Sequence, residues 1–274
     1  MSDTLRATIL GCGSSGGVPR LGGEDGHGNW GACDPANPKN RRRRCALLVE
    51  RIGAGGTTRV LVDVGADARE QLLSAGVGTL DAALITHDHA DHVHGLDDLR
   101  AIVLNRRERL DVWTDPDTGA VLADRFAYAF VQPEGSSYPP IYTLRLHDGT
   151  VRVEGAGGPV EAVAHVVDHG PTYAARGFRF GGLGYTPDVS ALGEDTAEKL
   201  ADLDVWIVDA LRWTEHPTHA HVDRTLEWID AIRPRRAILT NLHIDLDYET
   251  LAAYLPDGVE PAYDGMRIDL TPAP

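Results

Sequence analysis

Residues 86–92 read Thr-His-Asp-His-Ala-Asp-His, and they follow an apolar run, Asp81 to Thr86, with the length of a buried strand. Beyond them, Leu96 to Asn105 has helical periodicity. A turn between a buried strand and a helix can aim several side chains at one point. Neutral imidazole and carboxylate suit Zn, Mn or Fe far better than Ca or Mg. A single loop histidine would mean little, but His-x-His-x-Asp-His at a strand end points to a metal centre. The fold must therefore bury a strand directly beneath this loop.

The rest of the chain alternates strands and helices. Strands are predicted at 5–10, Cys45 to Arg51, Arg59 to Val64, 110–114, 141–146, 151–154 and 160–166. Further strands are predicted for Phe178 to Tyr185, Val205 to Ala210, Ala237 to Thr240 and 266–270. Helices are predicted at 67–75, 194–202, 222–232, where Pro234 ends the element, and 247–255. Gly53 to Thr57 is the turn of a hairpin, and residues 20–44 form a long loop. Several strands stop at a polar residue. The pattern predicts an α/β fold of two mixed β-sheets packed together with helices outside, as one domain over 1–274. No internal repeat interrupts it.

Composition narrows the function classes. The formal net charge of −15 repels nucleic-acid phosphates, so the chain does not read as a nucleic-acid binder despite the run Arg41–Arg44. No stretch reaches the ~18 apolar residues of a membrane span, and the first residues lack the basic-then-apolar order of a secretory signal. The expectation is a cytoplasmic protein with no membrane partner, and nothing speaks against a homodimer. The three cysteines, Cys12, Cys33 and Cys45, include no Cys-x-x-Cys pair and are read as reduced thiols.

The histidine motif resembles the signature of the metallo-β-lactamase superfamily, and further motifs extend the resemblance in order. Leu61-Val62-Asp63-Val64-Gly65 is similar to the superfamily's first motif, and Val167-Asp168-His169-Gly170 to its third. Tyr185-Thr186-Pro187-Asp188 and Leu239-Thr240-Asn241-Leu242-His243 are similar to the fourth and fifth. The resemblance implies an αββα sandwich and two divalent transition-metal ions, Zn or Mn. One ion would take His87, His89 and His169, and the other Asp91, His92 and His243. Asp188 would bridge them, and Asp63 would orient the ligands from behind. At the fifth motif many relatives place the ligand directly after Thr240, where this chain has Asn241. A hydroxide activated by two metal ions then needs no protein nucleophile.

The N-terminal pattern Gly11-x-Gly13, Gly17-Val18-Pro19 and Arg43-Arg44-Cys45, with Tyr263-Asp264-Gly265-Met266-Arg267-Ile268 near the end, resembles the PhnP-like cyclic phosphodiesterases, which open 5-phosphoribosyl 1,2-cyclic phosphate. The implied activity is hydrolysis of a small or cyclic, ribosyl or nucleotide-like, phosphodiester. His221 matches that branch's additional histidine and is expected to be the general acid to the leaving alkoxide. An N-cap neighbour of the helix from 222 is the plainer role. His216 and His219 read as loop surface, His94 as helix surface, and His27, His147 and His165 as structural. Only Cys33 falls in the loop where that branch holds a structural zinc, so none is expected. Arg41–Arg44 could grip a substrate phosphate, although Arg41 and Arg42 fit a solvated loop better. The glycine turn at 11–17 could approach a phosphate or be a plain tight turn.

Three other readings remain. Hydrolysis of a thioester or lactone needs the same centre. Processing of tRNA 3′ ends is opposed by the negative charge. A non-hydrolytic metal protein is suggested by the similar N-terminal loop of PQQ-biosynthesis proteins.

Overall fold

The computed structural model describes residues 3–272. In chain order its strands are β1 (Thr4–Gly11), β2 (Ala46–Gly53), β3 (Gly56–Val62), β4 (Ala82–Leu84), β5 (Leu110–Thr114), β6 (Tyr142–Leu146), β7 (Thr150–Val153), β8 (Val160–Asp168), β9 (Ala174–Phe180), β10 (Leu183–Thr186), β11 (Ala191–Leu192), β12 (Val205–Asp209), β13 (Arg236–Thr240), β14 (Val259–Pro261) and β15 (Arg267–Leu270). They form two mixed sheets. One runs β15-β1-β2-β3-β4-β5-β6, and the other β11-β8-β9-β10-β12-β13-β14 with β7 on β8.

Side-chain alternation explains the layers. Leu47 and Val49 of β2 face the second sheet, while Ala46 and Leu48 face the helices outside. Val60 and Val62 of β3 point inward and Leu61 outward. Strands apolar on both faces are what a sheet covered on both sides requires. Helices Ala68–Ala75, Arg100–Arg106 and Pro116–Arg125 cover the first sheet, and Val222–Ile232 and Tyr248–Tyr254 the second. Two stacked sheets with helices on both outer faces are the αββα sandwich that the motifs imply.

Several elements depart from the sequence reading, among them β11 and a short helix Ala127–Phe130, both unread. The single strand Phe178 to Tyr185 is two antiparallel strands, β9 and β10, because the chain turns at Gly181 (φ 58°). Phe178, Phe180, Leu183 and Tyr185 all enter the inter-sheet core, so an apolar run hid the turn. Helix Pro116–Arg125 went unread, although Asp115 caps it, accepting from the backbone N–H groups of Asp117 and Thr118, with a proline at the first helical position. The edge strand β14 was also missed.

Strands β3 and β4 are parallel, as are β10, β12 and β13. Their C-terminal ends therefore lie along one edge of the sandwich. Asp63, His87, Asp188 and Asn241 stand just beyond β3, β4, β10 and β13, and Asp209 is the last residue of β12. Among the described residues, no helix is long and apolar enough to cross a membrane.

Candidate metal centre and its cleft

Thr86 leads the chain off β4. Its hydroxyl sits 2.9 Å from Asp63 Oδ2 and 2.9 Å from His87 Nδ1. Asp63 is fully buried, lies at φ 64°, and places Oδ2 2.7 Å from His92 Nδ1. Asp63 thus contacts His92 directly and reaches His87 through the Thr86 hydroxyl. Gly65 follows for a steric reason, since a Cβ there would meet the Asp91 carbonyl at 2.0 Å.

Donor atoms converge in three groups, each within 4.8 Å: His87, His89 and His169; His87, His92 and Asp188; and His169, Asp188 and His219. His87 Nε2 is buried with no hydrogen-bond partner. Asp188 Oδ2 lies 2.8 Å from His92 Nε2, at ion-pair distance, yet it accepts no well-directed hydrogen bond. Buried polar atoms left without a hydrogen bond are rare unless something else engages them. Imidazole nitrogens and a carboxylate converging in this way fit a divalent transition metal.

The electrostatics follow from burial and crowding. Burial holds His87 and His169 below the usual imidazole range. Burial also opposes protonation of His92, but Asp188, Asp63 and Asp91 outweigh it and raise His92 well above that range. Asp188 is held low despite burial by His92, His219 and His87.

Two expected members are placed differently. Asp91 lines the cleft with its Oδ2 3.5 Å from His92 Nε2, but it joins none of the three groups. His243 also lines the cleft and joins none, its Nδ1 turned to Asp245 Oδ2 at 3.0 Å. His221 is the N-cap residue of helix Val222–Ile232, makes no side-chain capping bond, and is absent from the cleft lining. The histidine two residues earlier enters instead. His219 Nδ1 lies 2.8 Å from Asp209 Oδ2, and its ring centroid is 4.7 Å from that of His169. The reading of His219 and His216 as loop surface is corrected, since both line the cleft.

Asp209 and Asn241 were not singled out as site residues. Asp209 is fully buried, and burial pushes its carboxyl up to about 7 against the pull of His219. Asn241 Nδ2 donates to Asp188 Oδ1 at 2.9 Å. The available signal was the one that found Asp63, a polar residue ending a buried strand.

The basic run takes no part in the cleft. Arg43 pairs with Asp264 and Arg44 with Asp67. Arg41 stacks over Trp30, while Arg42 is buried, donating to the His243 carbonyl and to Asn40 Oδ1. Arg42 is therefore no solvated loop residue. Cys33 is buried with its thiol directed at the carbonyls of Ile244 and Leu246. The cations in the cleft are Arg20 and Arg212, beside Ser14, whose buried hydroxyl has no partner.

The Beta-lactamase superfamily domain matches residues 58–244, which contain the convergent histidines and Asp188. The chain belongs to the β-lactamase superfamily, and its fold implies divalent-metal binding and hydrolase chemistry. A solved diphosphatase of the PhnP family is 30% identical, with a TM-score of 0.84 over 97% of both chains. A protein named octanoyltransferase from Porphyromonas gingivalis is 30% identical over 96% of this chain, and the chain spans about half, 51%, of that relative's length. A ribonuclease Z from Bradyrhizobium diazoefficiens is 42% identical over 79 residues, 28% of this chain and 25% of that one. Zn-bound PqqB from Methylobacterium extorquens shares the fold, with a TM-score of 0.73 at 17% identity over 97% of this chain and all of that one.

Proposed function

We propose that this protein is a metal-dependent phosphodiesterase acting on a small or cyclic, ribosyl or nucleotide-like, phosphodiester. The carrying observation is that Arg20 and Arg212 line the cleft of the metal centre and form no ion pair with any described residue. The Arg212 guanidinium donates to the carbonyls of Thr214 and Glu215, and Arg20 Nε is buried without a partner. Two uncompensated guanidinium groups favour an anion, and guanidinium geometry suits phosphate oxygens. The cleft of about 310 Å³ fits a small molecule. The likeness to a PhnP-family diphosphatase supports a phosphoryl substrate.

His87, His89, His92, His169 and Asp188 would hold two ions, with the flanking Asp91 and His243 completing the set. When bound, the ions supply Lewis-acid activation of water at neutral pH. The chain's own residues do the rest. Arg20 and Arg212 orient the phosphate. Asp209 accepts from His219 Nδ1–H, which leaves Nε2 free to give a proton to the leaving oxygen. Burial opposes the charge on His219, but Asp209 and Asp188 prevail and raise it to about 9, the direction a general acid requires. The acid role expected of His221 passes in this proposal to His219.

The octanoyltransferase relative raises a second reading, hydrolysis of an acyl thioester. Leu211 is the one aliphatic side chain in the cleft lining, however, and an octanoyl chain would find little apolar surface there. Metal-loaded protein assayed with bis(p-nitrophenyl) phosphate, an octanoyl thioester and a lactone decides between them. Turnover of the phosphodiester with the highest kcat/KM is expected. A thioester or lactone preferred over every phosphodiester tested would overturn the proposal.

A further inference from the structure

Four imidazoles of the proposed centre are held in different ways. His87 Nδ1 meets the Thr86 hydroxyl, His92 Nδ1 meets Asp63, and His169 Nδ1 lies 2.7 Å from the Thr218 carbonyl. Each such bond fixes ring orientation and tautomer. His89 has no comparable acceptor among the described residues, and it is also the exposed member of the His87, His89 and His169 group. Its Nδ1 faces only His169 Nε2, at 3.1 Å. An exposed side chain without a partner keeps its rotamer freedom, and metal binding must then remove it.

Tyr173 supplies the restraint. Its ring is stacked on His89, with centroids 4.9 Å apart and planes 8° from parallel. It also meets His87 and His169 edge-on, at 6.0 and 5.9 Å. The ring is itself clamped. The Tyr173 hydroxyl donates to Asp88 Oδ1 and accepts from the Asp88 backbone N–H. Arg125, from the end of helix Pro116–Arg125, holds the other Asp88 oxygen at 3.0 Å and donates to the Asp88 carbonyl. Asp88 lies between His87 and His89 in the motif, so the clamp grips the loop that carries both.

We propose that Tyr173, clamped by Asp88 and Arg125, is the positioning residue of His89, doing by stacking what Thr86, Asp63 and Thr218 do for the other imidazoles. It thereby sets the affinity of the position formed by His87, His89 and His169. The inference rests on the proposed metal centre.

Stepwise Zn titration of the apo-protein against a competing chelator tests it without reference to turnover. Tyr173→Ala should weaken one of two binding events by the ~10–100-fold typical of lost ligand support, leaving the other nearly unchanged. Tyr173→Phe keeps the stack and should recover most of that loss. Arg125→Ala removes a partly exposed part of the clamp and should give a smaller loss at the same event, which preserves the test if Tyr173→Ala does not fold. Affinities equal to the parent's in Tyr173→Ala, or equal losses at both events, would overturn the positioning role while leaving the metal centre standing. A parent protein that binds no metal would remove both.

Discussion

Asp209 Oδ2 lies 2.8 Å from His219 Nδ1 at the floor of the cleft, and Asp209 is completely buried at the end of β12. The carboxylate fixes which imidazole nitrogen carries the proton and which faces the substrate. His219→Ala should cut turnover of a phosphodiester with an alkoxide-like leaving group by the ~10²–10⁴-fold associated with loss of a general acid. A p-nitrophenolate leaving group needs little protonation, so its loss should be much smaller. Asp209→Asn should show the same leaving-group dependence, weaker in size. His221→Ala, outside the cleft, should leave both substrates near parental rates. An equal effect of His219→Ala on the two leaving groups would reject the acid role.

Arg20 and Arg212 make a separate prediction about binding. A charge-assisted hydrogen bond is worth ~1.5–3 kcal/mol, so Arg20→Gln and Arg212→Gln should each raise KM for a phosphodiester by roughly 10–100-fold. A neutral lactone turned over by the same site should keep its KM. Parallel losses on charged and neutral substrates would mean that the arginines shape the cleft rather than bind the anion.

The histidine motif and the polar strand ends were legible because ligands must emerge from a rigid buried element, and buried strands stand out as apolar runs. Gly65 was legible as part of a motif, but its reason, the Asp91 carbonyl lying where a Cβ would project, exists only in three dimensions. The choice among His216, His219, His221 and His243 was not legible. It depends on Asp209, Asp245 and Asn241, which reach the site from different strands and loops. Arg41–Arg44 drew attention as a cluster, yet Asp264 and Asp67 neutralise two of its members across 221 and 23 residues of sequence. Arg20 and Arg212 carried no local signal, since an isolated arginine in a loop looks like any surface cation.

Asp188 belongs to two of the three donor groups. On the proposed two-ion centre, elemental analysis of protein grown with ample metal should show about two divalent transition-metal ions per chain, with Asp188→Ala depleting both and abolishing turnover. Full metal content and activity in that variant would refute the bridging assignment. Prolonged chelation should remove activity, and Zn or Mn should restore it.

A final prediction concerns the loop behind the cleft. Asp247 is the N-cap of helix Tyr248–Tyr254 and accepts from Thr250 N–H at 3.0 Å. It also accepts from Asn40 Nδ2 at 2.6 Å and from Asp34 N–H, tying residues 34–40 to this helix. Burial alone would raise its carboxyl, but these donors outweigh it and lower the pKa to about 2. The folded value lies below the unfolded ~3.9. The ionised form therefore contributes stability that is fully present above about pH 4 and is lost as pH falls toward 2. Asp247→Ala should destabilise the apo-protein by the ~1 kcal/mol typical of a lost N-cap. Denaturant unfolding of parent and variant at pH 7 and pH 3, with chelator present in both, isolates this group from the metal ligands. The gap between the two proteins should narrow at the lower pH. A gap that stayed constant would show that the Asp247 charge contributes nothing and that only its shape matters.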